Sequence, residues 1–355
     1  MIIKHKISCD PDFYEAWPDV ALTPSGKLVC VFSECTHHCN RDYTRIVTVE
    51  SSDRGRTWSA KLPVTEGTKG LDYYYNCARI KLLRDGRLCI VVDRLAVGGE
   101  ENTAARAVNL LYFSSDDGAT WNQPVATPLN GIVPDKLLEL KSGRWILAAH
   151  HPQDDFLTQF MRYSDDQGNT WSERITVGRQ HGLNLCETSI IESPDGTLAS
   201  FMRENSLKGL PAYKAISHDS GCSWGPLHEY PILGCHRPVA GFLKSGELLV
   251  TCRFQPSAWI FPPRDGFGGF KGGCQTTLAV LADPATSFQE SDNAQLRMMP
   301  LDFDRSLYSD TGYTGWVQFA DGEIYVVNYI VDDAYDSAQI RGYSFFPEEF
   351  VIRYK

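Results

Sequence analysis

Residues 187–204 read ETSIIESPDGTLASFMRE. Two apolar runs of strand length flank the turn Ser193-Pro194-Asp195-Gly196. Pro presets φ for a tight turn and Gly accepts a positive φ, so the stretch predicts a β-hairpin. The same unit recurs in residues 17–34 (WPDVALTPSGKLVCVFSE), 77–94 (CARIKLLRDGRLCIVVDR) and 134–151 (PDKLLELKSGRWILAAHH). Two more copies lie in residues 237–254 (RPVAGFLKSGELLVTCRF) and 313–330 (YTGWVQFADGEIYVVNYI). The turn glycines are Gly26, Gly86, Gly143, Gly196, Gly246 and Gly322, and neighbours lie 50 to 76 residues apart. That period is too long for one hairpin and suits a four-stranded blade. Six copies predict an all-β, six-bladed β-propeller that occupies residues 1–355 as one domain. A doubly wound α/β fold needs long amphipathic helices between strands, and the sequence offers none.

A second repeat lies between the hairpins. Residues 51–58 (SSDRGRTW), 114–121 (SSDDGATW) and 164–171 (SDDQGNTW) fit S-x-D-x-G-x-T-W, and residues 217–224 (SHDSGCSW) fit with Ser for Thr. The Asp accepts backbone N–H groups in a turn, the Gly takes a conformation other residues avoid, and the Trp fills space between sheets. These boxes read as structural caps on outer strands. In phase with the hairpin repeat they resemble the Asp boxes of the sialidase (neuraminidase) superfamily, and the resemblance runs over nearly the whole chain.

Composition agrees with a large β domain. Apolar residues make up 43% of the 355, charged residues 22%, and 29 Gly and 19 Pro supply turns. A net charge of −10 without a Lys/Arg run argues against a nucleic-acid partner. The opening MIIKHKISCDPDF lacks an apolar stretch, so neither a signal peptide nor a membrane span is expected. The 11 Cys form no CxxC pair and read as thiols in a reducing compartment, which sets the expectation at a cytoplasmic protein.

The repeat also defines registers. About nine residues before each turn Gly stand Trp17, Cys77, Pro134, Glu187, Arg237 and Tyr313. About seven after it stand Ser33, Asp93, His150, Arg203, Arg253 and Tyr329, followed by Glu34, Arg94, His151 and Glu204. Strand centres are apolar while these ends are crowded with charge, so they read as a ligand-binding rim at one mouth of the central channel. Arg203, Arg237, Arg253, Trp17, Asp93, His150, Glu34 and Arg94 are the expected substrate contacts.

The resemblance to sialidases implies chemistry. Tyr313 in GYTGWVQFADG stands like the family's nucleophile, Glu187 in CETSIIESPDG like the base that takes its proton, and Arg203 like one arginine of a carboxylate-binding triad. Asp42 in ECTHHCNRDYTR falls where the family keeps its acid/base. A tyrosine nucleophile avoids the repulsion that a carboxylate would meet from an acidic sugar. The resemblance also breaks. Ala16-Trp17-Pro18 stands where sialidases have Arg-Ile-Pro, and the stretch GGFKGGCQTTLAVL holds no third arginine. Arg237, Arg253 or Arg264 can take that place in space. The expected activity is therefore exo-acting hydrolysis of a sialic-acid-like or other acidic sugar, with a neutral sugar open. Two alternatives stand beside it: a polysaccharide lyase using His150 or His151 with a Tyr on a uronate, and a non-catalytic carbohydrate-binding propeller. No cofactor is expected. His37, His38 and Cys39 hold ligand-type atoms for zinc, but adjacent ligands on one loop are a weak signal, and no metal is expected either.

Overall fold

The computed structural model describes residues 1–97, 103–256, 275–306, 308–332 and 337–351. They form six antiparallel sheets of four strands each, one for each hairpin repeat, as a six-bladed propeller requires. Blade one runs Tyr14–Leu22, Leu28–His37, Asn40–Ser51 and Leu62–Pro63. Blades two to five follow in chain order. Blade six combines Thr311–Gln318, Ile324–Ile330 and Gln339–Phe345 with the first strand of the chain, Ile3–Ser8. This exchange closes the ring, since the chain's two ends share one sheet and no blade is left unpaired at the seam. The apolar core lies between neighbouring blades. Tyr325, Val327 and Tyr329 of blade six pack with Val20, Leu28 and Phe32 of blade one. No helix among the described residues is long and apolar enough to cross a membrane.

The third blade departs from its repeat. Its innermost strand shrinks to Leu138–Glu139, although the sequence reads as a full hairpin. Pro134 has no N–H to donate, and Val133 before it has φ 49°. Only the Ile132–His150 bridge and the Asp135 N–H to Ala148 carbonyl bond (2.9 Å) continue the pairing.

The other five inner strands share a device that the repeat alone does not reveal. Pairing slips between Ala16 and Asp19, Tyr75 and Ala78, Cys186 and Ser189, His236 and Val239, and Gly312 and Gly315. Each slip is a β-bulge, which re-aims a side chain. At four of them the bulged residue is bulky and left-handed: Trp17 (φ 55°), Glu187 (47°), Arg237 (53°) and Tyr313 (56°).

The Asp boxes turn the chain between the third and fourth strands of blades one to four. Asp53 accepts the N–H of Thr57 (2.9 Å) and the Thr57 hydroxyl (2.6 Å), while the Ser51 oxygen accepts the Gly55 N–H (2.8 Å). The box glycine is required by contact as well as by φ. A Cβ on Gly55 would lie 2.3 Å from the Tyr325 ring of blade six, so this box also fits against the neighbouring blade.

Candidate active site

Tyr313 and Glu187 come from blades six and four and meet across the channel mouth. The Tyr313 hydroxyl donates to Glu187 Oε1 at 2.5 Å. Arg203, on the next strand of blade four, places Nη1 2.9 Å from both Glu187 oxygens. The Glu187 backbone N–H donates to His150 Nδ1 at 3.3 Å, so blade three holds the bulge that aims Glu187. All four side chains are buried. Burial alone raises a carboxyl pKa, but the Arg203 guanidinium, helped by Arg237, more than reverses it and holds Glu187 at about 2. Burial and the Glu187 charge push the Tyr313 phenol well above its ordinary range. Burial, with Arg203 and Arg237 nearby, lowers His150 to about 4, so its ring is neutral at pH 7.

A second carboxylate stands beside this group. Asp310 accepts from the Tyr329 hydroxyl (2.7 Å) and the Tyr14 hydroxyl, and His38 Nδ1 lies 2.5 Å from its Oδ2. Arg253 Nη1 is 3.8 Å from Asp310, and Arg253 Nη2 is 3.1 Å from His236 Nδ1. Burial opposes ionisation of Asp310, yet His38 and Arg253 hold it at about 2. The clusters share a wall. The Tyr329 ring is 6.2 Å from the Tyr313 ring, and Trp17 lies 5.9 Å from Tyr329 and 5.1 Å edge-on from His38. The Arg253 guanidinium is 5.7 Å from the Tyr313 ring centre. Arg237 is fully buried and donates to the Pro134 carbonyl at 2.7 Å. Arg203 and Arg253 therefore flank Tyr313 beside the carboxylates of Glu187 and Asp310, while the Arg237 charge acts on Glu187 and on buried Asp135.

Other residues of the expected rim lie elsewhere. Asp93 is buried and accepts the backbone N–H groups of Cys77 and Val133 at 2.9 Å each, which holds the bulge of blade two and the left-handed Val133 of blade three. Burial raises its pKa against these bonds. Glu34 is buried on Lys61 (2.7 Å) and Arg45 (2.8 Å). Arg94 lies over the Tyr73 ring at 4.8 Å, and His151 stacks on Phe160. Side chains alternate across a strand, so the residues one step beyond Ser33, Asp93 and His150 face away from the channel. Asp42 is exposed on the blade-one hairpin, its N–H held by Asn40 Oδ1 at 2.9 Å. Arg264 lies outside the described residues. Among the described residues, one group of three metal-ligand side chains converges: Asp10, Glu15 and Glu34. The Lys61 ammonium lies 2.6 to 2.7 Å from all three, so a cation already sits among them.

Asp310, Tyr14 and Arg41 were not singled out from sequence. Arg41 places its guanidinium 3.9 Å over the Trp17 ring. The one available signal for Asp310 is its position three residues before Tyr313, outside the two registers that the turn glycines define.

A family model described as BNR repeat-like domain matches residues 75–290, more than half of the chain. A protein from Bacteroides fragilis (strain YCH46) named sialidase is 24% identical over 197 residues, which span 52% of this chain and 34% of that protein. The chain thus spans about a third of that relative's length. Among solved structures, a protein of unknown function from Dyadobacter fermentans DSM 18053 superposes with a TM-score of 0.76 at 20% identity, covering 97% of this chain and 98% of that one. The intramolecular trans-sialidase from Ruminococcus gnavus, solved with oseltamivir carboxylate, superposes with a TM-score of 0.66 at 13% identity, covering 96% of each chain. At these identities the structural likeness speaks to the fold.

Proposed function

Because the chain belongs to the BNR repeat-like domain family of sialidase-like propellers, we propose that it is an exo-acting glycoside hydrolase that uses Tyr313 as nucleophile and takes a carboxylated sugar. The observation that carries this reading is the 2.5 Å hydrogen bond from Tyr313 to Glu187, with Arg203 on the same carboxylate. A phenol is a poor nucleophile until a base receives its proton, and Glu187 is in contact to do so. In the empty site the proton stays on Tyr313, because Arg203 keeps Glu187 a weak base. A sugar carboxylate that engages Arg203, Arg237 and Arg253 shares the Arg203 charge and makes Glu187 more basic. Substrate binding and nucleophile activation are then linked through one guanidinium. Arg203 and Arg253 beside Tyr313, with Arg237 acting on Glu187, are guanidiniums suited to charge-assisted bonds with a sugar carboxylate, which favours an anionic sugar over a neutral one. The sialidase named among the relatives supports a sialic-acid-like sugar within that class. Asp42 and His38, both on the blade-one hairpin, are the two candidates for the acid/base role.

A panel of aryl α-sialosides, uronides and neutral glycosides tests the proposal. Release of a reducing sugar from an acidic member is the expected result, abolished in Tyr313→Phe without loss of the fold. Near-normal turnover in that variant overturns the nucleophile. An unsaturated product absorbing in the ultraviolet indicates elimination instead, and binding without turnover a carbohydrate-binding propeller.

A further inference from the structure

Hydrolysis by Tyr313 also needs a group that protonates the departing glycosidic oxygen, and neither Glu187 nor Arg203 is suited to it. Glu187 is ionised and engaged with the nucleophile, and an arginine does not give up its proton in a protein. Of the two candidates on the blade-one hairpin, Asp42 is exposed at the surface. His38 instead lies in the wall of the site. Its side chain is 12% exposed, its Nδ1 is 2.5 Å from Asp310 Oδ2, and its ring stands edge-on to Trp17 at 5.1 Å. Asp310 is itself fixed by the Tyr329 and Tyr14 hydroxyls, and the Tyr329 ring borders Tyr313. Among the described residues, the charged and titratable groups around His38 include Asp310, Tyr14 and Arg41, whose Nε donates to the His38 carbonyl at 3.0 Å, with Arg253 behind Asp310.

We infer that His38, oriented by Asp310, is the acid/base of the reaction, an assignment that rests on the Tyr313 reading above. A carboxylate on Nδ1–H fixes the ring and offsets its charge when doubly protonated, and it makes Nε2 the atom that exchanges a proton with substrate. In the first step the Tyr313 oxygen bonds to the anomeric carbon and gives its proton to Glu187. The glycosidic C–O bond breaks, and the leaving oxygen takes the Nε2 proton of His38. In the second step water attacks the anomeric carbon and gives a proton to His38. The bond to Tyr313 breaks, and Glu187 returns the proton to the phenolate. The enzyme ends as it began, with one water consumed. Asp310 acts through His38 and is a positioning residue.

The test compares the methyl and 4-nitrophenyl α-glycosides of N-acetylneuraminic acid as substrates for wild type, His38→Gln, His38→Asn and Asp42→Asn, with thermal melts to establish that each variant folds. A nitrophenolate leaves without a proton and an alkoxide does not. Loss of general acid assistance is worth about 10²–10⁴-fold. Both His38 variants are therefore expected to lose at least about 100-fold in kcat/KM on the methyl glycoside and less than about tenfold in kcat/KM on the nitrophenyl one, while kcat on the nitrophenyl glycoside falls because the second step lacks its base. Azide, which attacks the glycosyl enzyme without a base, should restore kcat on the nitrophenyl glycoside. Asp310→Asn should show the same leaving-group dependence in weaker form. Equal losses on both substrates, or a leaving-group dependence confined to Asp42→Asn, overturn the His38 assignment and leave Tyr313 as the nucleophile. A wild type inert towards both glycosides and towards uronides and neutral glycosides overturns the hydrolase reading, and the His38 assignment with it.

Discussion

The outer turns and the inner rim of this propeller use the same unusual backbone for opposite ends. In the four Asp boxes, the residue before the glycine is left-handed: Arg54 (φ 65°), Asp117 (57°), Gln167 (56°) and Ser220 (57°). At the rim, Trp17, Glu187, Arg237 and Tyr313 adopt nearly the same φ. The box position carries four different side chains, and the strain is met within eight residues by the Ser and Asp side chains. At the rim the supports come from other strands and other blades. His150 takes the Glu187 N–H, Gln159 the Thr188 N–H at 3.3 Å, and Asn328 the Gly312 N–H at 3.0 Å. A left-handed bulky residue costs on the order of 1–3 kcal/mol. At the boxes the cost secures a turn, and at the rim it aims reacting groups at one point.

The comparison can be broken most severely at Asp93. Asp93→Ala leaves the buried N–H groups of Cys77 and Val133 without an acceptor. About 3 kcal/mol of stability should be lost in denaturant unfolding, with activity falling as the blade-two bulge and the left-handed turn at Val133 relax. A variant with wild-type stability would mean that the rim bulges need no support from neighbouring strands. The next effect is pH-dependent and belongs to His150. Its ring ionises near 6.5 when unfolded and at about 4 when folded. Between these values the unfolded chain binds the extra proton, so stability is full above pH 6.5 and is lost as the pH falls towards 4. The loss amounts to about 3 kcal/mol. His150→Gln should remove that slope, read from denaturant midpoints across the range. The smallest effect lies at the boxes. Asp116→Ala should lower Tm by only a few degrees, as for about 1 kcal/mol in a domain of this size, and leave kcat unchanged. A large kcat change there would contradict the structural role of the boxes.

The same contrast explains what was legible in the sequence. A local motif carries its own hydrogen bonds, so the boxes and the six turn glycines, from Gly26 to Gly322, mark the blades directly. The register that those glycines define also brings Tyr313, Glu187 and Arg203 to one place, and they do meet. What counting from a glycine does not give is which face a strand end presents. Glu34 and Arg94 share a register with nothing else at the site, because one residue of slip turns a side chain to the other face. Asp93 looked like a rim acid, and only the fold shows that it holds the blade-two bulge and the left-handed Val133. His38 and Asp310 lie 272 positions apart, and no local pattern links them. The exchange of Ile3–Ser8 into the last blade is likewise a tertiary event that the hairpin repeat does not encode.

The rim bulges of blades four and six assemble a nucleophile from Tyr313. The most direct test is covalent trapping with 3-fluorosialosyl fluoride, whose ring fluorine slows release of the glycosyl enzyme, followed by peptide mass spectrometry. One adduct is expected, on the peptide containing Tyr313, absent in Tyr313→Phe and slowed in Glu187→Gln. Hydrolysis of acidic glycosides with no adduct under these conditions, or with the adduct on any other residue, would contradict Tyr313 as the nucleophile.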